Sequence, residues 1–461
     1  MTIDGFRAQF SGIVLGRDTE GYDVARAPWN GDIDRRPAVI TQCSTAEEVA
    51  ASIRFGREEG SEVAVRGGGH SFAGHGVCEG GLMVDLSPMR SVAVDAAARR
   101  ATCGGGTTWA DLDAATQAHG LATPGGVISH TGVGGLTLGG GIGWLSRRAG
   151  LSCDNLVSAK VVTADGRIVT ASADENPDLL WALRGGGGNF GVVTEFEFAL
   201  HEVGPLVNLG LFFWGVEQGA DALRLARDYT ASAPSGAGLQ LIGLNAPPAP
   251  FVPEEFHFAP GYGLAVIGWG SPEEHAELIR PLREALPPLF ELVTPIPYAE
   301  LQKMLDDSAP WGIMGYEKAL YLDDLSDGAI DVVAKHFPAK SSPMSIMPVF
   351  PMGGAYHDVE DDATAWGGSR SVKWIFNIAA IAPTADLLST DRAWVRTMYD
   401  ALQPFASGIG TYINFLNDAD EDRIRASYGA AKYERLSRIK AEYDADNVFH
   451  LNANIRPAKT L

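Results

Sequence analysis

The first part of the chain mixes two spacings of apolar residues. Short apolar runs predict β-strands at residues 62–66, 82–86 and 160–162. Apolar side chains at helical spacing predict helices over residues 46–59 and 108–119. We expect Ser44 to cap the first of these helices, and Thr107 or Thr108 to cap the second. Strands and helices that interleave in this way predict a mixed α+β region.

The pattern changes after residue 204, where strand-like runs lengthen and aromatic residues become frequent. Strand-like runs lie at residues 207–214, 263–268 and 372–379. Helix-like stretches lie at residues 220–231, 272–285 and 430–443. This pattern predicts an antiparallel sheet with helices on one face. We therefore expect a first domain over residues 1–204, a substrate-binding domain over 205–410 and a C-terminal segment over 411–461.

Glycine is concentrated in three segments of the first region. RGGGHSFAG (66–74) follows a predicted strand and places His70 directly after three glycines. TGVGGLTLGGGIGW (131–144) interleaves glycine with apolar residues, unlike a flexible linker. RGGGGNFGVVTE (184–195) contains a formal GxGxxG, but a predicted helix precedes it and a strand follows, the reverse of a nicotinamide-binding motif. Because glycine lets backbone N–H groups approach a pyrophosphate closely, the segments together predict a dinucleotide cofactor held largely by backbone.

Composition narrows the range of partners. The 461 residues carry a formal net charge of −21, which disfavours nucleic acid and anionic membrane surfaces. The sequence has no apolar run long enough for a membrane helix and no leader pattern, so we expect a cytoplasmic protein. The four cysteines form no CxxC pair and no HExxH occurs, so we expect no metal site. We expect a small-molecule substrate and a monomer or homodimer.

Four segments stand in an order that resembles a known enzyme family. They are RGGGHSFAGHG (66–76), HTGVGGLTLGGGIGWLSRRAGLSCDNL (130–156), GGGGNFGVVTEFEF (185–198) and a tail that opens with YINF (412–415). Together they are similar to the berberine-bridge-enzyme-like branch of the FAD-linked oxidases, in the vanillyl-alcohol-oxidase superfamily, and most similar to its bacterial members. The resemblance implies a bipartite FAD-binding domain of two α/β subdomains and a substrate domain with an antiparallel sheet covered by helices. It also implies a C-terminal strand that returns to the flavin through Tyr412 and Asn414.

The same resemblance implies that FAD is bound covalently through His70, the histidine after the first glycine run. Many family members add a bond from a cysteine to the flavin, but Ile128 holds that position here, so we expect no 6-S-cysteinyl link. Thr131 stands where family members control the reaction with oxygen, and its likeness in shape to valine implies an oxidase that uses O2. The other positions that the resemblance assigns to FAD are Arg66, Gly67, Gly68, Gly69, Ser71, Gly74, Gly132, Gly134, Gly135, Gly139, Gly141, Gly143, Asn155, Gly188, Asn189, Gly191, Val192, Val193, Asn452 and Asn454.

The activity implied by the resemblance is the transfer of a hydride from an alcohol-type carbon of a sugar or secondary metabolite, with O2 reduced to H2O2. The alternatives are an amine oxidase of the hydroxynicotine type, an oxidative cyclase of natural-product biosynthesis, and a flavin-binding protein without catalysis. Alcohol oxidation needs a base within hydrogen-bond reach of the substrate. The catalytic candidates are Tyr412, His130 and Asn414, with Tyr316 and Tyr321 as further candidates for the base.

Aromatic residues in the second region bear on the kind of substrate. They favour an apolar or aromatic molecule over a bare polyol, although a role in the core explains them equally well. These residues are Phe212, Trp214, Trp311, Trp374 and Phe376.

Overall fold

A mainly parallel sheet opens the fold in the computed structural model, which describes residues 3–418 and 421–459. Its strands, in spatial order β1-β2-β4-β3, are β1 (Ile13–Gly16), β2 (Val39–Gln42), β3 (Val63–Arg66) and β4 (Leu82–Asp85). The helices beside them are α1 (Ile3–Arg7), α2 (Tyr22–Arg26) and α3 (Ala46–Glu58). Val49 and Ile53, one helical turn apart on α3, pack against Val63 and Leu82 of the sheet.

The second sheet is antiparallel and has spatial order β5-β6-β10-β8-β9. This part of the chain contains β5 (Val92–Asp95), β6 (Arg100–Gly104), β7 (Leu121–Ala122), β8 (Leu156–Val162), β9 (Ile168–Ala171), β10 (Val192–Ala199) and β11 (His201–Glu202). Its helices are α4 (Trp109–Gln117), α5 (Val133–Leu138), α6 (Ser146–Ala149) and α7 (Pro177–Leu183). The short strands β7 and β11 pair with each other.

The third sheet contains seven antiparallel strands in the order β15-β12-β14-β13-β17-β18-β16. They are β12 (Leu206–Gly215), β13 (Gly238–Asn245), β14 (Pro260–Gly268), β15 (Phe290–Pro297), β16 (Met314–Leu322), β17 (Met347–Pro351) and β18 (Trp374–Ala382). The remaining helices are α8 (Gly219–Ser232), α9 (Pro272–Ala285), α10 (Tyr298–Lys303), α11 (Asp327–His336), α12 (Ala385–Leu402), α13 (Glu421–Tyr428) and α14 (Ala430–Tyr443).

Alternation along the strands gives the third sheet two different faces. Leu239 and Leu241 of β13, with Trp374 and Phe376 of β18, point into a core shared with α8, α9, α11 and α12. The residues between them point the other way, towards the first two sheets. The helix α14 contributes Leu436 to the core of the second sheet, so the C-terminal segment packs against the N-terminal part of the molecule.

The predicted α+β fold, with two smaller sheets followed by an antiparallel sheet covered by helices, is confirmed. The cap of α3 was expected at Ser44 and lies at Thr45, whose side chain accepts a hydrogen bond from the Glu48 N–H at 3.2 Å. Glu48 in turn accepts from the Ser44 N–H, so the capping pair is shifted by one residue. The expected C-terminal strand is instead a 3₁₀ turn over Ile413–Phe415. None of the helices in residues 3–418 and 421–459 combines the length and apolar character needed to cross a membrane.

Candidate active site

A cavity of about 400 Å³ lies between the two N-terminal sheets and the third sheet. The glycine-rich loops form one side of it, and the inward face of β13, β16, β17 and β18 forms the other. The C-terminal segment closes the side with Asn414 and Asn452. The cavity therefore has a floor of exposed backbone and a roof of side chains.

His70 stands in the cavity wall directly after β3 and Gly69, whose φ of +68° is a conformation that favours glycine. Its ring stacks on Trp29, with centroids 4.9 Å apart. Its Nε2 lies 2.7 Å from Nδ1 of His130. Burial, with the nearby His130, lowers the pKa of His70 to about 3. The ring is therefore neutral at physiological pH, as a nitrogen nucleophile must be.

Glycine shapes the floor in two ways. Gly68 and Gly132 face each other so closely that a Cβ on either one would overlap the backbone of the other, which locks the first and second glycine loops together. Gly135 and Gly188 line the cavity, and a Cβ added there would meet no protein atom within 4 Å. The floor thus combines backbone packed too tightly for side chains with backbone that leaves space for a ligand.

The structure brings most of the sequence-predicted cofactor residues to the cavity wall. Those that line it are Arg66, Gly67, Gly68, Gly69, His70, Ser71, Thr131, Gly132, Gly134, Gly135, Gly188, Gly191, Val192, Val193 and Asn452. Ile128 and Asn414 line it too.

Other predicted residues do not line the cavity. They are Gly74, His130, Gly139, Gly141, Gly143, Asn155, Asn189, Tyr412 and Asn454. Asn155 donates to the carbonyls of Ala149 and Leu151, so its hydrogen bonds hold a loop and not a ligand. Asn189 donates to the Ala453 carbonyl at 3.1 Å and accepts from the Ile455 N–H at 2.9 Å, so it anchors the tail behind the cavity.

Comparison with known proteins identifies the family. Residues 37–172 match the family model described as FAD binding domain, and residues 411–456 match the one described as berberine and berberine like. An FAD-linked oxidoreductase of Dictyostelium discoideum is 30% identical over 468 residues, which cover 99% of this chain and 97% of that protein. The chain belongs to the berberine-bridge-enzyme-like FAD-linked oxidoreductases.

Solved structures agree with this assignment. The 6-hydroxy-D-nicotine oxidase of Arthrobacter nicotinovorans superposes with a TM-score of 0.86 at 26% identity, over 97% of this chain and 98% of that one. The glucooligosaccharide oxidase of Acremonium strictum, which carries a 6-S-cysteinyl, 8α-N1-histidyl FAD, superposes with a TM-score of 0.87 over the whole of both chains. At 24% identity, the second likeness concerns the fold alone.

The cavity of this FAD-linked oxidoreductase fits the cofactor of its family. Gly135 and Gly188 present backbone to open space, as binding of a flat or phosphate-bearing ligand requires. The buried Oδ1 atoms of Asn452 and Asn454 have no hydrogen-bond partner within the described structure. Buried polar atoms are normally satisfied, so the Asn452 amide, which lines the cavity beside Gly188, marks a place for a polar ligand.

The predicted tyrosine bases are not free to act on a substrate in the cavity. The hydroxyl oxygen of Tyr412 accepts hydrogen bonds from the Gly141 N–H and the Asn414 amide, both at 2.8 Å, and burial raises its pKa. Burial also raises the pKa of Tyr321, which lies in a hydrophobic cluster. Tyr316 points to the helix-covered face and donates to Asp418 at 2.6 Å.

Sequence reasoning missed three polar residues in the cavity roof: Gln240, Glu317 and Asn377. The signal was present, because Glu317 and Lys318 are charged residues in an otherwise apolar and aromatic strand at 314–322. Reading it required knowledge of which face of the strand points to the cavity. The direction of each strand face also decides whether the aromatic residues contact the substrate. The helix-covered core on the other face contains Phe212, Trp214, Trp374 and Phe376. Trp311 is 48% exposed and lies beside His70, with ring centroids 5.9 Å apart.

Proposed function

We propose that this chain is an oxidase that carries FAD covalently on His70 and oxidises an alcohol-type carbon of a sugar or secondary metabolite. The observation that carries the proposal is the position of His70 in the cavity wall, where its Nε2 lies 2.7 Å from Nδ1 of His130 and beside the glycine floor. A neutral imidazole keeps a nitrogen lone pair available for a covalent bond. When bound, FAD would supply the acceptor for the hydride, and O2 would take up the electrons as H2O2.

We also propose that His70 makes the covalent attachment alone. Ile128, which has no thiol, lines the cavity. All four cysteines lie in the described part of the chain, all are buried, and none lines the cavity. Burial raises the pKa of Cys103 to about 12, which keeps that thiol unreactive. A 6-S-cysteinyl link therefore has no donor at the cavity.

The cofactor itself would be held mainly by backbone. We propose that the loops around Gly68, Gly132 and Gly188 cradle FAD, with Arg66 supplying positive charge and Thr131 adjoining the region that reacts with O2. The likeness to a bacterial hydroxynicotine oxidase supports placing the chain among the bacterial members.

An amine oxidase is the second candidate. Of the two solved structures compared above, the hydroxynicotine oxidase has the higher sequence identity to this chain, 26% against 24%. The roof of the cavity is largely apolar, with Ile242, Pro348, Phe350 and Ile381 among its residues, which suits an aromatic amine as well as an aromatic alcohol.

Acid precipitation of the purified protein tests covalent attachment. The yellow colour is expected in the pellet for the wild type and in the supernatant for His70→Ala. His75→Ala is the matched control, because His75 belongs to the same loop and also lines the cavity. Colour in the pellet of His75→Ala and release of H2O2 with a panel of alcohols and amines would support the proposal.

Two results would contradict it. Wild-type colour in the supernatant would exclude the covalent bond, and colour that stays in the pellet of His70→Ala would place the bond on another residue. If folded wild-type protein carries covalent flavin but releases no H2O2 with any alcohol or amine, the covalent link stands and the oxidase function is excluded.

A further inference from the structure

The roof of the cavity contains three buried polar side chains in an apolar surface. Gln240, Glu317 and Asn377 are 2%, 0% and 6% exposed, respectively. Within the described structure, Nε2 of Gln240, Oε1 of Glu317 and Oδ1 of Asn377 have no hydrogen-bond partner. Buried polar atoms without a partner destabilise a fold, so three of them in one cavity indicate a ligand that satisfies them.

The strands explain why these side chains converge. Gln240 of β13, Glu317 of β16 and Asn377 of β18 all occupy inward positions, while their neighbours in sequence point to the helices. Ala319 of the edge strand β16 pairs with Asn377 of the neighbouring strand β18, which sets Glu317 diagonally opposite Asn377. The Asn377 amide donates to Oε2 of Glu317 at 2.8 Å. Glu317 is thereby held with its other oxygen, Oε1, free.

A purely structural role does not account for Glu317. Its one side-chain partner within the described structure is Asn377, and burial raises its pKa to about 8. Among the groups on other elements, Tyr412 lies close enough for the charge of Glu317 to raise its pKa. The ammonium group of Lys318, the next residue on β16, pairs instead with Asp418 at 3.5 Å. A buried carboxyl without a cationic partner destabilises a fold when ionised, and such groups are typical of sites that move protons.

We propose that Glu317, positioned by Asn377, takes the proton from the reacting hydroxyl or amine of the substrate, and that Gln240 binds an acceptor at the substrate's far end. This inference rests on the oxidase function proposed above. In the step, the substrate C–H bond breaks and its hydride goes to the flavin. The O–H or N–H bond breaks with its proton going to the Glu317 carboxylate, and the C–O or C–N bond becomes double. The proton then leaves with the H2O2 formed from O2.

The spacing of the polar residues defines the substrate class. Val349 pairs with Leu241 on one side and Phe376 on the other, so Gln240 and Asn377 lie two strands and two residues apart, roughly 12 Å between backbones. Ile242 and Pro348 fill the roof between them. The substrate is accordingly an alcohol or amine with an apolar body and a hydrogen-bond acceptor at the opposite end.

Glu317→Gln tests the proton acceptor, because glutamine keeps the shape but binds no proton. We expect covalent flavin content and its absorbance spectrum to stay unchanged while kcat/KM falls at least 100-fold. The wild-type kcat/KM should rise with pH through about 8, and this rise should disappear in the variant. Glu291→Gln, on the outer strand β15 of the same sheet, is the matched control and should stay within twofold of wild type.

Infrared titration gives a readout that needs no substrate. The wild type should lose a protonated-carboxyl band between pH 6 and pH 10 that is absent from the Glu317→Gln spectrum once the contribution of Asp113, which both proteins share, is subtracted. Glu317→Asp, which keeps the carboxyl but shortens it, should retain the pH dependence at a reduced rate. A Glu317→Gln rate within threefold of wild type, or a pH rise that persists in it, overturns the assignment. Absence of covalent flavin or H2O2 in the wild type would instead count against the oxidase function.

Two probes test the substrate class. 4-(Hydroxymethyl)benzamide has an acceptor at the end opposite its hydroxyl, and 4-methylbenzyl alcohol lacks it. We expect the first to bind the holoenzyme about tenfold more tightly in calorimetric titration, and Gln240→Leu to remove the difference. Gln218→Leu, the same substitution at a residue that does not line the cavity, should preserve it. Equal affinity for both probes, or no binding of either, overturns the role of Gln240.

Discussion

The pair formed by His70 and His130 shows how two residues can prepare a bond. A neutral imidazole has one N–H and one lone pair. If Nε2 of His70 donates to Nδ1 of His130, as their 2.7 Å separation allows, the lone pair of His70 lies on Nδ1. Burial that lowers the pKa of His70 to about 3 prevents protonation of that nitrogen. His130 is then a positioning residue for attachment of the cofactor.

Replacement of His130 tests this role. We expect His130→Phe, which keeps a ring beside Trp311 but removes the hydrogen bond, to slow covalent attachment about tenfold or more. The measurement is flavin fluorescence of the denatured protein on a gel, followed over time after FAD is added to apoprotein. His119→Phe, at an exposed site, is the control. Equal rates for His130→Phe and wild type would show that the hydrogen bond has no part in attachment.

The glycine-rich loops matter at the scale of elements because their glycines do different work. Gly68 and Gly132 permit contact between two loops, whereas Gly135 and Gly188 leave space for a ligand. We expect Gly135→Val and Gly188→Val to fold, with a melting temperature close to that of the wild-type apoprotein, but to incorporate less than about a tenth of the flavin.

Gly236→Val is the matched control for both substitutions, because a Cβ at Gly236 also meets no atom within 4 Å but lies away from the cavity. Flavin absorbance per protein and circular dichroism provide the two measurements. Full flavin content in Gly135→Val or Gly188→Val would mean that the cofactor does not approach the floor at these positions.

Local sequence signals predicted the elements better than they predicted the site. Residues 272–285 and 430–443 were expected to be helical and form α9 and α14 with these bounds, because Ser271 and Gly429 mark their starts. His70 was expected at the site because several glycine-rich segments in a fixed order resemble a known family. Glu317 and Asn377 could not be predicted, because an inward residue of a strand becomes chemically significant once another layer covers it.

The cavity belongs to the whole molecule, because its floor and roof come from distant parts of the chain. Polar contacts join the two sides: the Asn30 side chain donates to the carbonyls of Phe72 and Gly315, and Ser129 donates to Asp306 at 2.6 Å. We propose domain boundaries near residues 204 and 410, on either side of the third sheet. The contact between α4 and α10 then becomes one of the contacts that hold the roof above the floor.

A buried carboxyl in this contact makes the stability of the molecule depend on pH. Gln302 of α10 donates to Asp113 of α4 at 3.0 Å, and burial raises the pKa of Asp113 to about 7. Since the unfolded value is about 3.8, the folded state holds the proton more tightly. The stabilisation is therefore complete below about pH 3.8 and is lost as the pH rises to about 7.

Asp113→Asn removes this dependence and also supplies a missing hydrogen bond. Oε1 of Gln302 has no partner within the described structure, and an asparagine amide could donate to it while its oxygen accepts from Gln302. A shift of about three pKa units corresponds to about 4 kcal/mol, so we expect a higher melting temperature than wild type at pH 8 and little difference at pH 4.

Asp111→Asn, in the same helix, should have the opposite effect. Despite partial burial, hydrogen bonds from Thr108 and Arg90 lower the pKa of Asp111, so loss of its carboxylate destabilises the fold near pH 7. Thermal unfolding across this pH range measures both, and a lower melting temperature for Asp113→Asn at pH 8 would mean that Asp113 is ionised and satisfied in the fold.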